Sequence, residues 1–143
     1  MHTKATITAE EKQLIEKIPT KNLTAYDLYR KGREEHWFDN ITKFDNKNNL
    51  SLKKAEDLYR KALENDSAFA LAYAGLAKIY WDKYHNKTET YFTENYLDSI
   101  LILCNIALSY DDQLADAHTL KGRYYRDHKK PEEAFREYTK PSV

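Results

Sequence analysis

Cysteine, glycine, proline and methionine are all scarce in this chain, and each scarcity removes a class of protein. Cys104 is the only cysteine among 143 residues, so an internal disulfide and a cysteine-built zinc site are both excluded. Within LILCNIAL it reads as a small buried hydrophobe rather than a nucleophile. Three glycines and three prolines are too few for the tight turns of a many-stranded protein, which points to helices throughout. An excess of one charge is missing too: 23 basic residues balance 23 acidic ones. A dedicated nucleic-acid binder would carry a basic surplus, so none is expected as a direct partner. The longest apolar run, SILILCNIAL, contains Asn105 and falls short of the roughly 18 residues of a membrane span. The opening MHTKATITAEEK lacks the apolar core of a signal peptide. The expected compartment is the cytoplasm, the alternative being a periplasmic part of a membrane-anchored parent protein. Without a secretion signal, the Asn-x-Ser/Thr tripeptides at Asn22, Asn40, Asn49 and Asn86 reflect an Asn-rich composition rather than glycosylation.

Catalytic and cofactor motifs are missing as well. Neither G-x-x-x-x-G-K-[ST] nor G-x-G-x-x-G occurs, so no loop is built to cradle phosphate. His2, His36, His85, His118 and His128 show no i, i+4 pair of the kind a helical metal site needs. His118 takes a large-aromatic position, where packing is its expected work. The stretch from Asp45 to Glu56 begins like a calcium loop, but Lys47 and Lys53 stand at ligand positions and Leu50 stands where glycine is required. The expectation is a protein that is not an enzyme and carries no cofactor and no metal.

What is present is a repeat. Gly32 and Gly122 lie 90 residues apart with Ala77 midway, and the half-interval of 45 recurs. Ala25, Ala70 and Ala115 keep it, as do Ala62 with Ala107, Leu58 with Leu103, Leu63 with Leu108 and Asp66 with Asp111. Each unit holds two helical segments: AYDLYRKGREEHW with SLKKAEDLYRKALEN, ALAYAGLAKIYWDK with ENYLDSILILCNIALSY, and ADAHTLKGRYYRDH with PEEAFREYTK. Ser51 is the expected N-cap of the second helix, and Pro131 the first residue of the last. A further helix is expected from Thr8 to Lys17, opened by the capping box in TAEE. The expectation is an all-α chain of about seven helices.

The third unit joins its helices through the short RDHKKPEE, whereas FDNITKFDNKNN and KYHNKTETYFT add about 11 residues in the first two. Subtracting 11 from 45 gives 34, the tetratricopeptide period. Tyr73, Leu76, Ala77 and Tyr80 fit W-x2-L-G-x2-Y, and Gly32, Ala55, Tyr59, Ala62, Gly122, Tyr125, Ala134 and Tyr138 fill the matching positions in the other units. The chain therefore resembles a tetratricopeptide-repeat domain over residues 25 to 140. AYDLYRKG and the lengthened first loop are similar to the repeat region of bacterial transcriptional regulators and adenylate cyclases that carry such repeats. Lys31 and Lys121 depart from the usual Leu, and Ser67 and Asp112 from the frequent Pro.

The resemblance implies antiparallel helix pairs stacked as a right-handed superhelix. An N-terminal helix and linker would span residues 1–23, and a domain would span 24–143 with units 25–69, 70–114 and 115–140. It also implies a concave groove faced by Tyr26, Tyr29, Arg30, Arg33, Trp37, Leu71, Ala74, Lys78, Trp81, Asp116, Thr119, Arg123 and Arg126. Of these, Tyr26, Tyr29, Arg30, Arg33, Trp37, Lys78, Trp81, Arg123 and Arg126 are the candidate partner contacts, and the bases suit a peptide with acidic groups. Two functions stay open. One is a protein–protein interaction scaffold, part of a larger regulatory protein. The other is a sensor that holds a small molecule under the two long loops near Trp37 and Trp81 and signals to an attached output domain. The last helix, with Ala134, Phe135 and Tyr138, has no capping helix after it, so the chain is expected to continue in a parent protein or to form a homodimer there.

Overall fold

Six helices are bounded in the computed structural model, which describes residues 8–11, 19–42, 50–85, 96–127 and 131–139, with backbone alone at Thr42 and 131–134. They are α1 (Leu23–Thr42), α2 (Leu50–Asn65), α3 (Ala70–His85), α4 (Tyr96–Tyr110), α5 (Ala115–Asp127) and α6 (Pro131–Tyr138). The fold is all-α, with no strand among the described residues. Residues 9–11 are also helical, and the Glu11 amide donates to Thr8 Oγ1 at 3.1 Å, as an N-cap requires. The remainder of the expected first helix lies outside the described residues.

Side chains at the helix ends fix how the first two helices pair. The Ala25 amide donates to Asn22 Oδ1 at 2.9 Å, which makes Asn22 the N-cap of α1. Asn22 also donates from Nδ2 to the Asn65 carbonyl at 2.9 Å, at the far end of α2. Thr20 donates from its hydroxyl to Asp66 Oδ2 at 2.5 Å. The start of α1 is thereby tied to the end of α2, and the pair runs antiparallel.

The turns between units repeat bond for bond. Asp66 donates from its amide to the Ala62 carbonyl and takes the Ala68 amide on its carboxylate; Asp111 does the same with Ala107 and Gln113. The Phe69 and Leu114 amides return to the Asp66 and Asp111 carbonyls. Even the side chains above these turns correspond. Tyr73 donates to the Ser67 carbonyl at 2.7 Å, and His118, 45 residues on, donates from Nε2 to the Asp112 carbonyl at 2.8 Å.

Each helix packs chiefly on the next, and α3 also touches both α1 and α5, which sets α1, α3 and α5 side by side. Two apolar clusters result. Phe69, Tyr59, Leu52, Leu76 and Ile79 anchor one between α1, α2 and α3; Ile100, Cys104, Ala77 and Leu120 anchor the other between α3, α4 and α5. Glycine permits the close approaches. A methyl group on Gly32 or Gly75 would come within 2.8 or 2.7 Å of the Tyr59 ring, and one on Gly122 within 2.7 Å of the Tyr138 ring.

Several boundaries differ from expectation, among them the start of α1 at Leu23 rather than Ala25. Phe38 to Thr42 belong to α1 rather than to a loop, because His36 and Asp39 are both buried at i, i+3 and carry the helical register past Trp37. Tyr84 and His85 extend α3 past the expected end at Lys83, which pairs with Glu56 at 2.5 Å, and the His85 ring packs against Trp81 with centroids 4.3 Å apart. Ser51 is not an N-cap: it sits inside α2, buried, one residue after Leu50.

Candidate functional site

Helices α1, α3 and α5 enclose a groove made of two joined cavities of about 300 and 190 Å³. Both are lined by His36, Asn40, Lys78 and Asp116, so one continuous channel crosses all three helices. Arg33, Lys78 and Arg123 line it at intervals of 45 residues, one cation from each unit at the same register.

The three cations are held differently. Lys78 Nζ meets Asp116 Oδ2 at 2.5 Å, with both side chains about half exposed. The Arg33 guanidinium lies 5.6 Å from the centre of the Tyr29 ring, and that of Arg123 lies 5.9 Å from the centre of the Trp81 ring. Neither guanidinium has a carboxylate partner within ion-pair distance among the described residues. Asp82 is engaged by His36, which donates from Nε2 to Oδ2 at 2.5 Å. The groove thus offers two guanidiniums to an incoming group, and keeps its carboxylates occupied.

Its aromatic wall stays neutral. Burial raises the Tyr29 pKa against the opposing charge of Arg33, and burial raises that of Tyr59 further. Both phenols therefore act as packing surfaces. Tyr29 is nearly buried against the Tyr59 and Phe69 rings, with centroids 5.6 and 5.2 Å away.

Of the candidate contacts, Tyr29, Arg33, Trp37, Lys78, Trp81 and Arg123 line the groove, together with Leu71, Ala74, Asp116 and Thr119. Three do not. Tyr26 packs partly buried on the first apolar cluster, Arg30 is exposed away from the channel, and Arg126 pairs with Asp127 at 3.5 Å. Trp37 is 64% exposed and also faces an open depression with Glu34, Glu35, Phe38 and Lys54. His36, Asn40, Asp82 and Leu120 line the groove without having been anticipated. An offset was available as a signal for one pair, since Thr20 to Asp66 and His36 to Asp82 both span 46 residues. Of the loops expected to close a small-molecule pocket, at 38–49 and 83–93, residues 43–49 and 86–93 lie outside the described residues.

Cys104 is fully buried, and burial pushes its thiol up to about 12. Among the described residues no group of three or more His, Cys, Asp or Glu is placed to hold a metal ion, and no helix is long and apolar enough to cross a membrane. No protein-family model matches the chain, and no curated protein shows significant similarity to it.

Proposed function

We propose that this chain is a non-catalytic interaction module of the tetratricopeptide-repeat kind. It holds an extended segment of a partner protein in the groove between α1, α3 and α5. One observation carries the reading: Arg33 and Arg123 flank the channel, each laid against an aromatic ring and without a carboxylate partner among the described residues. A guanidinium fixed on an aromatic face keeps its donors in a set direction, which suits recognition of a planar acid group. The 45-residue correspondence of turns, glycines and groove cations supports the repeat assignment. Attachment to a larger bacterial regulatory protein in the cytoplasm belongs to this proposal. So does a homodimer through α6, where Phe135 is 70% exposed; light scattering of the chain at high concentration decides that point.

Peptide display against the immobilised chain tests the binding reading. Selected peptides are expected to bind the native chain and to lose binding to Asn40→Trp, which fills the channel from an exposed lining position. Equal binding to both proteins would put the partner site elsewhere.

A further inference from the structure

We infer that the groove reads acidic side chains six residues apart in an extended peptide, and that Asp116 occupies the reading position midway between them in the free chain. This rests on the peptide-binding reading above.

The cations set the ruler. Arg33, Lys78 and Arg123 occupy one register on α1, α3 and α5, whose neighbours are in contact. Packed helices lie about 8–10 Å apart. An extended peptide crossing them advances about 3.1–3.4 Å per residue, so each interval takes about three residues and the outer pair about six. A side chain six residues along returns to the same side of the peptide in both a β-strand and a polyproline II helix. One three residues along does so only in polyproline II, with its three residues per turn, and that is the conformation assigned to the bound peptide.

The middle position is closed. Lys78 holds the Asp116 carboxylate at 2.5 Å, the contact that a ligand carboxylate would make. Both partners are about half exposed, so the pair is of the weak surface kind and a single substitution opens it without disturbing the core. Arg33 and Arg123 have no carboxylate partner among the described residues, whereas Lys78 answers to Asp116 first.

Fluorescence anisotropy with labelled ten-residue peptides tests this on the whole chain. Glu at i and i+6 on a Gln and Ser background is expected to bind about tenfold more tightly than the peptide lacking both, or than one with Glu at i and i+4. Arg33→Gln and Arg123→Gln each remove that preference, and Lys61→Gln, on the exposed face of α2, retains it. A third Glu at i+3 is expected to change affinity less than twofold in the native chain and about fivefold or more in Asp116→Asn. An absent i+6 preference, or an equal effect of the i+3 acid in both proteins, overturns the inference. If peptides bind regardless of charge and spacing but fail with Asn40→Trp, the inference falls and the groove stands as a peptide site. If a polyanion such as heparin binds and no peptide does, both fall.

Discussion

Tyr59 shows how one residue sets the tolerance of two others. Its ring is almost wholly buried and touches the backbone at both Gly32 and Gly75, so neither contact can widen without tightening the other. Gly32→Ala or Gly75→Ala gains about 1 kcal/mol of helix propensity but overpacks a fixed ring, a cost of about 1–3 kcal/mol. A net loss of up to about 2 kcal/mol is expected in urea denaturation. Gly122→Ala faces the equally close Tyr138 ring, yet that ring is 46% exposed and can swing outward, so the same change should be neutral or stabilise by up to about 1 kcal/mol. Equal losses at all three positions would refute the difference in yielding. In the second unit Ala77 and Cys104 stand where the first has Gly32 and Tyr59, a larger residue facing a smaller one. The glycine and alanine spacing was legible in the sequence because it repeats. That the glycines answer to one tyrosine was not, since Gly75 breaks the 45-residue register. Cys104 carries a second consequence. Its thiol ionises near 9.0 when unfolded and only near 12 when folded, so the unfolded state loses its proton first as pH rises. Stability from this group is complete below pH 9 and falls by about 1.4 kcal/mol per unit above it. Native chain should lose about 1–2 kcal/mol more than Cys104→Ala between pH 8 and 10.5; parallel losses would mean the thiol is not shielded.

At the scale of elements, α6 depends on a polar anchor. It has eight residues, too few for an isolated helix, and it leaves Phe135 and Tyr138 substantially exposed. Its Glu137 is buried beneath α5, accepting from His118 Nδ1 at 2.8 Å and meeting Lys121 Nζ at 3.2 Å. Removing one member of a buried ion pair costs about 3–5 kcal/mol, because the cation left behind keeps its desolvation penalty. Glu137→Gln, which retains a hydrogen-bonding group, is expected to cost about 3 kcal/mol of α6 docking. Hydrogen exchange should show amides of α6 losing protection while α1 and α2 keep theirs; uniform loss would mean that α6 is not a separate unit. This anchor explains two features the repeat pattern left open. Lys121, which departs from the Leu of the pattern the sequence resembles, is the partner of Glu137, and His118 keeps the turn bond that Tyr73 makes 45 residues earlier. Helix existence and turn chemistry were readable from Asp66, Asp111 and the apolar spacing. The ion pair was not, because the positions matching Glu137 in the earlier units are Leu58 and Leu103, which do not mark it.

Across the whole molecule, α3 is the helix on which both apolar clusters depend. It gives Leu76 and Ile79 to the first and Ala74 and Ala77 to the second, and it touches both α1 and α5 along the groove. The groove is a product of that position: its walls are set by the packing of α3, not by any loop among the described residues. This is also why the channel was only partly legible. The cations Arg33, Lys78 and Arg123 follow the repeat and were anticipated, whereas Asn40 lies beyond the expected end of the first helix, and His36 and Asp82 pair across 46 residues, one off the repeat interval. If α3 couples the two clusters, a cavity within it must weaken both. Ile79→Ala removes a fully buried side chain and is expected to cost about 2–5 kcal/mol. Hydrogen exchange should then accelerate in α1 and α5 by similar factors, although Ile79 belongs to the first cluster. An Ile100→Ala chain, cut in the second cluster alone, should accelerate α4 and α5 first and leave α1 better protected. Equal patterns from the two variants would mean that the chain unfolds as a single unit without an interior boundary, and that α3 holds no special place in it.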